Sequence, residues 1–307
     1  WLLCLSILFL APAQGAILED NEYRVLYDKW LETFNKQDAN DNRFAIFKEN
    51  MDTIIQHNAK GLSWKLGTNE YADLTDEEFE STRLMEIPAD FDVFGNATEH
   101  RDERWTEENV STIDWSAKGK VTAVRNQGSC GSCWAFAAAG AAEGLMSRPS
   151  HVSTQQIADC TMSTNGCNGG WPHKALGYAA GKGLCSDSSY RYTSGSTGKT
   201  YTCKDSSCSK ILSLRGSRSG SSESSCASLL QSRPQSTVIN ASNLKLYSSG
   251  VIQSCSGTST NHAVTAVGIV NIDGKTCWKI KNSWGSSWGK GGYMYLPYGQ
   301  RCKGVGS

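Results

Sequence analysis

The chain has 307 residues, of which 39% are hydrophobic and 20% are charged, and its formal net charge is zero. Beyond the N-terminus, no stretch approaches the roughly 20 consecutive apolar residues that cross a bilayer. We therefore expect a soluble mature protein. We expect it to be a monomer, with neither a membrane nor a nucleic acid among its partners.

The first 15 residues resemble a secretory signal peptide. Residues 2–10 are apolar but too few to span a membrane, and residues 13–15 form a small-x-small pattern. The sequence begins at Trp1, without a basic segment, so we expect the signal to be truncated at its start. The 12 cysteines of the chain fit an oxidising, secretory route.

Residues 16–108 contain no cysteine, and their apolar spacing predicts two amphipathic helices. The first carries an i, i+3, i+4, i+7 stripe formed by Tyr27, Trp30, Leu31 and Phe34. The second carries a series that shares one helix face, formed by Arg43, Phe47, Asn50, Ile54 and Asn58. Periodicity alone predicts only that these helices pack against other elements.

The zero net charge hides an asymmetry between two parts of the chain. Residues 16–108 hold 23 acidic and 10 basic residues, whereas residues 109–307 hold 7 and 20. We hypothesise that the acidic and basic parts dock. Acid should weaken this docking, because paired carboxylates have depressed pKa values and are neutralised as the pH falls.

The candidate chemistry is concentrated in residues 127–136, which read QGSCGSCWAF. Cys133 precedes an alanine-rich run that favours a helix, and a helix N-terminus favours a thiolate. The C-x-x-C pair formed with Cys130 leaves a disulfide, a metal site or a redox centre open. A redox centre usually has its Trp before the first Cys, whereas Trp134 follows the second. A zinc module would need a second C-x-x-C or a close His pair, and neither is present.

The second half of the chain supplies a histidine and an asparagine near predicted strands. Strands are predicted at residues 237–239, 262–270, 277–281 and 292–296. His262 opens an apolar run, and Asn282 lies in a Trp-rich stretch. A capping box at Ser153 predicts a helix, and residues 192–225 are interpreted as a loop.

The order Cys133, His262, Asn282, with Gln127 ahead of them, resembles the papain family of cysteine proteases, and is closer to its cathepsin L-like branch than to cathepsin B. The resemblance implies an α+β, papain-like two-lobe fold. A helical lobe would carry Cys133, a β-barrel-like lobe would carry His262 and Asn282, and the active-site cleft would lie between them. A mainly helical propeptide would precede both lobes.

The same resemblance gives each residue a role. Cys133 would attack the peptide carbonyl, and His262 would hold and return the proton. Asn282 would orient the imidazole, Trp284 would shield that contact, and Gln127 would stabilise the oxyanion together with the Cys133 N–H. No cofactor and no metal are implied.

The resemblance extends to the N-terminal part. The Arg43 series matches the inhibitory ERFNIN motif, with Ala39 at its initial Glu position, which removes an expected ion pair. A second propeptide motif matches Gly67, Asn69, Tyr71 and Asp73. We therefore expect a signal at 1–15, an inhibitory propeptide at 16–108 and a peptidase domain at 109–307 that is clipped at its C-terminus. The propeptide would act as an intramolecular inhibitor.

The resemblance also suggests disulfides and modifications. The implied bridges are Cys130–Cys167, Cys160–Cys203 and Cys255–Cys302, and the unassigned cysteines are Cys185, Cys208, Cys226 and Cys277. Glycosylation sequons occur at Asn96, Asn109 and Asn240.

Specificity and destination follow from the resemblance as well. Gly169 and Gly170 would pair with the substrate backbone, while Trp171, Pro172 and Ala263 would line a pocket for an apolar or aromatic side chain two residues upstream of the cut. The chain lacks the His-containing insertion of cathepsin B, which favours an endopeptidase acting on proteins and peptides. We expect activation at acid pH, inhibition by cystatin-like proteins, and a lysosomal, vacuolar or extracellular location.

Two other hypotheses remain from the sequence. A catalytically silent homologue could bind anionic partners through its basic domain. A thiol–disulfide oxidoreductase could use Cys130 and Cys133, which requires that Cys130 be free.

Overall fold

The computed structural model describes residues 18–85, 110–220, 222–253 and 260–300. Within these ranges no helix is both long and apolar enough to cross a bilayer. The helices are α1 (Asp20–Phe34), α2 (Asp41–Ala59), α3 (Asp76–Arg83), α4 (Cys133–Glu143), α5 (Thr154–Cys160), α6 (Pro172–Lys182), α7 (Ser194–Thr197) and α8 (Glu223–Leu230). The strands are β1 (Trp64–Leu66), β2 (Ile113–Asp114), β3 (Leu184–Cys185), β4 (Lys210–Leu212), β5 (Gln235–Ile239), β6 (Tyr247–Gly250), β7 (His262–Ile272), β8 (Lys275–Lys281) and β9 (Tyr293–Pro297).

The two helices predicted near the N-terminus are confirmed as α1 and α2. Their apolar stripes pack through aromatic rings: Tyr27 lies 5.2 Å from Phe47 between ring centroids, and Trp30 lies 5.3 Å from the same ring. Such contacts bury large apolar areas, and these rings belong to one apolar cluster with Trp284 and Trp288, which follow β8.

An ion pair between helices connects α2 to α3. Ala39 lies before Asn40, the N-cap of α2, and so is outside the helix. Arg43 nevertheless has an acidic partner, because its guanidinium makes a bidentate pair with Glu78 of α3 at 2.6 and 2.9 Å. The absence of an acidic residue at position 39 therefore does not leave Arg43 without an acidic partner.

The helical lobe is organised around α4, in which every residue but Gly140 is buried. A Cβ added at Gly140 would lie 2.5 Å from the hydroxyl of Thr265 on β7, so this position lets the helix approach the sheet. In α5, Ser153 accepts from the Gln156 N–H as predicted. The reciprocal half of the capping box is absent, because the Gln156 side chain bonds to Tyr178, Gly183 and Cys185 instead.

The second lobe is built on a five-stranded antiparallel sheet. The order is β2-β7-β8-β9, and β5 also pairs with β7. The four predicted strands are confirmed as β5, β7, β8 and β9. The interpretation of residues 192–225 as a loop is wrong in part. They contain α7, the start of α8, and β4, which pairs with β3. The α+β two-lobe fold with a helical N-terminal segment is confirmed.

Disulfides and one strand pairing connect these parts. Disulfides join Cys130 to Cys167, Cys160 to Cys203, and Cys185 to Cys208. The pair Cys255–Cys302 lies outside the described residues. The N-terminal domain docks onto the second lobe where β1 pairs antiparallel with β6.

Candidate active site

Cys133 is the first residue of α4, and its side chain is fully buried. Burial raises the pKa of the thiol to about 12. The backbone N–H groups of Ala263, Trp134 and Cys133 act in the opposite direction, because they favour the thiolate. The thiol is therefore protonated in this form. The N–H of Ala263 also places the sulfur beside the start of β7, where His262 lies.

His262 and Asn282 meet because β7 and β8 are antiparallel. His262 opens β7, and Asn282 follows Lys281, which pairs with Thr265 of β7. His262 Nε2 lies 2.7 Å from Asn282 Oδ1. Since the amide oxygen only accepts, Nε2 carries the proton. Nδ1 has no hydrogen-bond partner among the described residues, so it is the ring nitrogen left for the thiol.

Trp284 covers this pair from solvent. Its ring centroid lies 4.5 Å from that of His262, and both residues have no exposed surface. Burial lowers the pKa of His262 to about 4, and the bond to Asn282 acts in the opposite direction. The imidazole is therefore neutral here, as the thiol is.

Hydrogen bonds fix the buried Gln127 side chain in a single orientation. Its Oε1 accepts from Ser283 Oγ at 2.8 Å, and its backbone N–H donates to Ser283 O at 2.8 Å. The amide nitrogen therefore points away from Ser283, and it donates to Arg83 O and to Cys130 O, both at 2.9 Å. Ser283 was not predicted from the sequence, although its position directly after Asn282 is a signal that could have indicated it.

The predicted substrate-binding residues come from both lobes, because residues 169–172 lead into α6 whereas Ala263 follows His262 on β7. A Cβ at Gly170 would come within 2.6 Å of the Trp134 indole, so the backbone of Gly170 lies close against that ring, and the Gly169 carbonyl accepts from the Asn165 N–H at 2.9 Å. Trp171 caps α6, and Pro172 is its first residue. Trp171 and the buried Ala263 belong to an apolar cluster that also contains Cys133 and Met85.

Residues 79–85 of the N-terminal domain cover the site. Phe79 packs edge-on against Trp284 with 4.8 Å between centroids, and the Arg83 carbonyl accepts from Gln127. The Met85 N–H donates to Asn261 O at 2.9 Å, and its side chain is buried. These contacts were not predicted from the sequence, because they join residues that lie far apart in the chain.

A buried ion network ties the far end of α4 to β8. Glu143 is 1% exposed, and its carboxylate accepts from Arg125 at 3.2 Å and from Thr122 at 2.5 Å. Lys281, which precedes Asn282, donates to the same Thr122 hydroxyl at 2.9 Å. Burial alone would raise the pKa of Glu143, but the contact with His151 and the charges of Arg125 and Lys281 hold it below its usual range.

The remaining predicted residues are less informative. Asn240 follows β5 and is partly exposed. Asn96 and Asn109 lie outside the described residues. Because Cys130 is bonded to Cys167, it cannot form a C-x-x-C redox pair with Cys133 in this structure.

A covered cysteine beside a histidine held by an asparagine is the arrangement of an inhibited cysteine peptidase. Comparison with known families agrees. The family described as "Papain family cysteine protease" matches residues 110–305, and the "Cathepsin propeptide inhibitor domain (I29)" matches residues 27–79. The chain therefore belongs to the papain family of cysteine proteases and carries its own inhibitory propeptide domain.

Similar proteins span most of the chain. Chymopapain from Carica papaya is 37% identical over 289 residues, which cover 88% of this chain and 80% of chymopapain. Cathepsin L 2 from Paramecium tetraurelia is 35% identical, with 90% and 88% covered. The crystal structure of the ragweed pollen cysteine protease Amb a 11 in its proform has a TM-score of 0.79 at 32% identity, with 92% and 90% covered.

Proposed function

We propose that this protease is an endopeptidase made as a zymogen, which cleaves peptide bonds through a Cys133 thiolate and a His262 imidazolium. One observation carries the proposal. The Arg83 carbonyl accepts from the Gln127 amide at 2.9 Å, so a peptide carbonyl already occupies the place where an oxyanion would be stabilised. The covering segment holds the site in a substrate-like contact but keeps both reacting groups neutral.

Acylation begins once the propeptide leaves and water returns to the cleft. The pKa of the thiol then falls and that of His262 rises, so the proton moves from the sulfur to Nδ1. The thiolate attacks the substrate carbonyl carbon, and the carbonyl electron pair moves to the oxygen, which accepts from Gln127 Nε2 and the Cys133 N–H. Collapse breaks the C–N bond, Nδ1 protonates the leaving amine, and a thioester remains.

Deacylation reverses these roles. Neutral His262 takes a proton from water as the water oxygen attacks the thioester carbon. Collapse of the second tetrahedral intermediate breaks the C–S bond, releases the carboxylic acid product and regenerates the thiolate. Throughout, Asn282 Oδ1 accepts from Nε2–H and keeps Nδ1 directed at the sulfur.

We assign the substrate preference to the apolar cluster. Trp171, Pro172 and Ala263 offer no charge to a side chain two residues upstream of the cut, which favours an apolar or aromatic group. The buried Met85 side chain in the same cluster supports this assignment.

Activation is proposed to occur by loss of residues 16–108 at acid pH, after signal removal at 1–15, leaving the peptidase domain at 109–307. Among the described residues, one ion pair crosses the two domains: Lys245 of the enzyme contacts Asp76 at 2.8 Å. Inside the propeptide, the hydrogen bond from Arg43 lowers the pKa of Glu78. That stabilisation is present above the usual glutamate pKa of about 4.5 and fades as the pH falls towards the lowered value.

The secretory setting is part of the proposal. The signal-like N-terminus and three described disulfides support a route to a lysosome, vacuole or the extracellular space. On that route Asn96, Asn109 and Asn240 would be glycosylated, and protein substrates and cystatin-like inhibitors would be the partners.

The test measures hydrolysis of a fluorogenic dipeptide amide that carries Phe or Leu two residues upstream of the cut. The assay is run at about pH 5 with reductant, before and after acid processing. We expect activity to appear on processing, to be blocked by a thiol-directed epoxide and to vanish in Cys133→Ala. A processed, disulfide-intact enzyme without activity would overturn the proposal. It would favour a silent homologue, and binding to heparin beads would then be measured.

A further inference from the structure

Tyr192 contacts both ends of the segment that presents the two oxyanion donors. We call residues 127–132 the oxyanion loop, because Gln127 begins it and its last residue, Ser132, precedes Cys133. Tyr192 lies in the segment between β3 and α7, outside this loop. No motif in the sequence singled it out.

The tyrosine hydroxyl makes two hydrogen bonds to the oxyanion loop. It donates to Gln127 O at 2.8 Å, and it lies 2.6 Å from Ser132 Oγ. Because its single proton goes to Gln127, it accepts from Ser132. Burial raises the pKa of Tyr192 to about 12, so the hydroxyl keeps its proton at acid and neutral pH.

The surrounding packing leaves Tyr192 little freedom to move. Its ring stands edge-on against Phe136 of α4, with 4.9 Å between centroids. Three residues further on, Gly195 O accepts from the Ser129 N–H at 2.8 Å, and a Cβ at Gly128 would lie 2.4 Å from the same oxygen. The 192–195 segment therefore backs the oxyanion loop along its length.

We propose that Tyr192 is a positioning residue, whose hydroxyl holds the Gln127 side chain and the Cys133 N–H at the spacing that the oxyanion requires. The inference rests on the proposed function. Without the hydroxyl, Gln127 O loses a donor, and Ser132 Oγ keeps only a long contact of 3.4 Å to Cys130 O. Both ends of the loop can then shift, and oxyanion stabilisation depends steeply on such shifts.

The experiment uses acid-processed enzyme, with active sites titrated by a thiol-directed epoxide, and compares Tyr192→Phe with wild type. Loss of a whole oxyanion donor costs about 10² to 10³ in rate, so we expect a partial loss, about 10-fold in kcat, with KM within about 2-fold. The Ki of a peptide aldehyde, whose hemithioacetal oxygen uses the same donors, should rise in parallel, while binding of a non-reactive peptide amide should not change. Tyr190→Phe is the matched control, because its hydroxyl bonds to Asp159 at 2.7 Å and not to the loop.

A double-mutant comparison separates positioning from general packing. In a Gln127→Ala background, Tyr192→Phe should lower kcat by less than about 3-fold, because one of the two donors that it positions is gone. The inference is overturned if Tyr192→Phe lowers kcat by the same factor in both backgrounds. It is also overturned if Tyr192→Phe has the kcat and aldehyde Ki of wild type per titrated active site. If Tyr192→Phe does not fold, Ser132→Ala is measured instead: a 2- to 5-fold loss in kcat is expected, and no loss overturns the inference. An inactive wild-type enzyme would be a failure of the proposed function, and it is seen before any variant is compared.

Discussion

The described residues of the propeptide (18–85) and of the enzyme domain (110–300) differ in how deeply their ion pairs are buried. In the propeptide the pairs Arg24–Asp41 and Lys48–Asp20 have side chains that are 35% to 93% exposed, and the more buried pair Lys36–Asp73 is still 27% and 11% exposed. In the enzyme domain Glu143 is 1% exposed, and three disulfides cross-link the described chain. The propeptide region contains no cysteine at all.

This contrast has energetic consequences. Exposed ion pairs typically contribute about 0–1 kcal/mol, whereas removal of one partner from a buried pair costs about 3–5 kcal/mol. Disulfides add further stability, typically about 2–4 kcal/mol each. The propeptide is thus stabilised mainly by its aromatic packing and by its contacts with the enzyme domain. The buried ion pair and the disulfides of the enzyme domain remain when the propeptide leaves. Under the proposed activation, the domain that is removed would differ in this way from the domain that remains.

The largest expected effect concerns the thiol that the propeptide covers. At pH 7, alkylation of Cys133 by iodoacetamide should be at least about 10³-fold slower in the full chain than in the processed enzyme. The reason is that burial raises the pKa of the thiol to about 12 in the full chain and blocks access to it. Peptide mapping of the labelled cysteine measures the rate. Similar rates in the two forms would show that the propeptide does not cover the site in solution.

The second effect tests the buried network of the enzyme domain. Glu143→Ala should lower the free energy of unfolding of processed enzyme by about 3–5 kcal/mol, because Arg125 loses its buried carboxylate partner and Lys281 loses a nearby negative charge. The measurement is the urea midpoint. Asp187→Ala is the control, since its partly exposed carboxylate also pairs with Arg125, at 3.1 Å, and should cost less than about 1 kcal/mol. Equal losses in the two variants would contradict the contrast between buried and exposed pairs.

The third effect tests the propeptide. Arg43→Ala removes the bidentate pair with Glu78 and a bond to Asp73 O at 3.0 Å, which together hold α3 over the cleft. We expect autoprocessing at pH 5 to become about 10-fold faster, equivalent to roughly 1.4 kcal/mol. Asp41→Asn, which breaks only the exposed pair with Arg24, should change the rate less than about 2-fold. A slower Arg43→Ala zymogen would show that α3 is not held in this way.

Local pattern and motif spacing predicted much of this molecule. The spacing of the residue series that contain Tyr27 and Arg43 predicted α1 and α2, because residues that share a helix face recur in the chain at fixed intervals. The order and spacing of Cys133, His262 and Asn282 predicted three residues that the fold brings close together. Arg83 and Tyr192 could not be found this way, since their roles depend on contacts with residues 44 and 65 positions away. The half-formed capping box at Ser153 has the same cause, because distant partners took the Gln156 side chain.

The smallest effect concerns the pH at which the contrast between the domains becomes visible. His57 lies in the last turn of α2. Its Nε2 lies 3.2 Å from Trp64 O, its ring stands edge-on against the Trp64 ring, and that ring packs on Tyr247 of the enzyme. Burial lowers its pKa below the usual value of about 6.5, and the charges of Lys60 and Lys65 act in the same direction.

A histidine with a lowered pKa stabilises the docked state fully above its unfolded pKa of about 6.5, and this contribution declines as the pH falls below that value. His57→Gln keeps a hydrogen-bonding side chain but cannot take up the proton. The midpoint pH of autoprocessing should therefore fall by a few tenths of a unit, while processing at pH 7.5 stays as slow as in wild type. An unchanged midpoint would assign acid sensing to the carboxylates alone, with Glu78 as the first to test, because the stabilisation it gives is lost only below about pH 4.5.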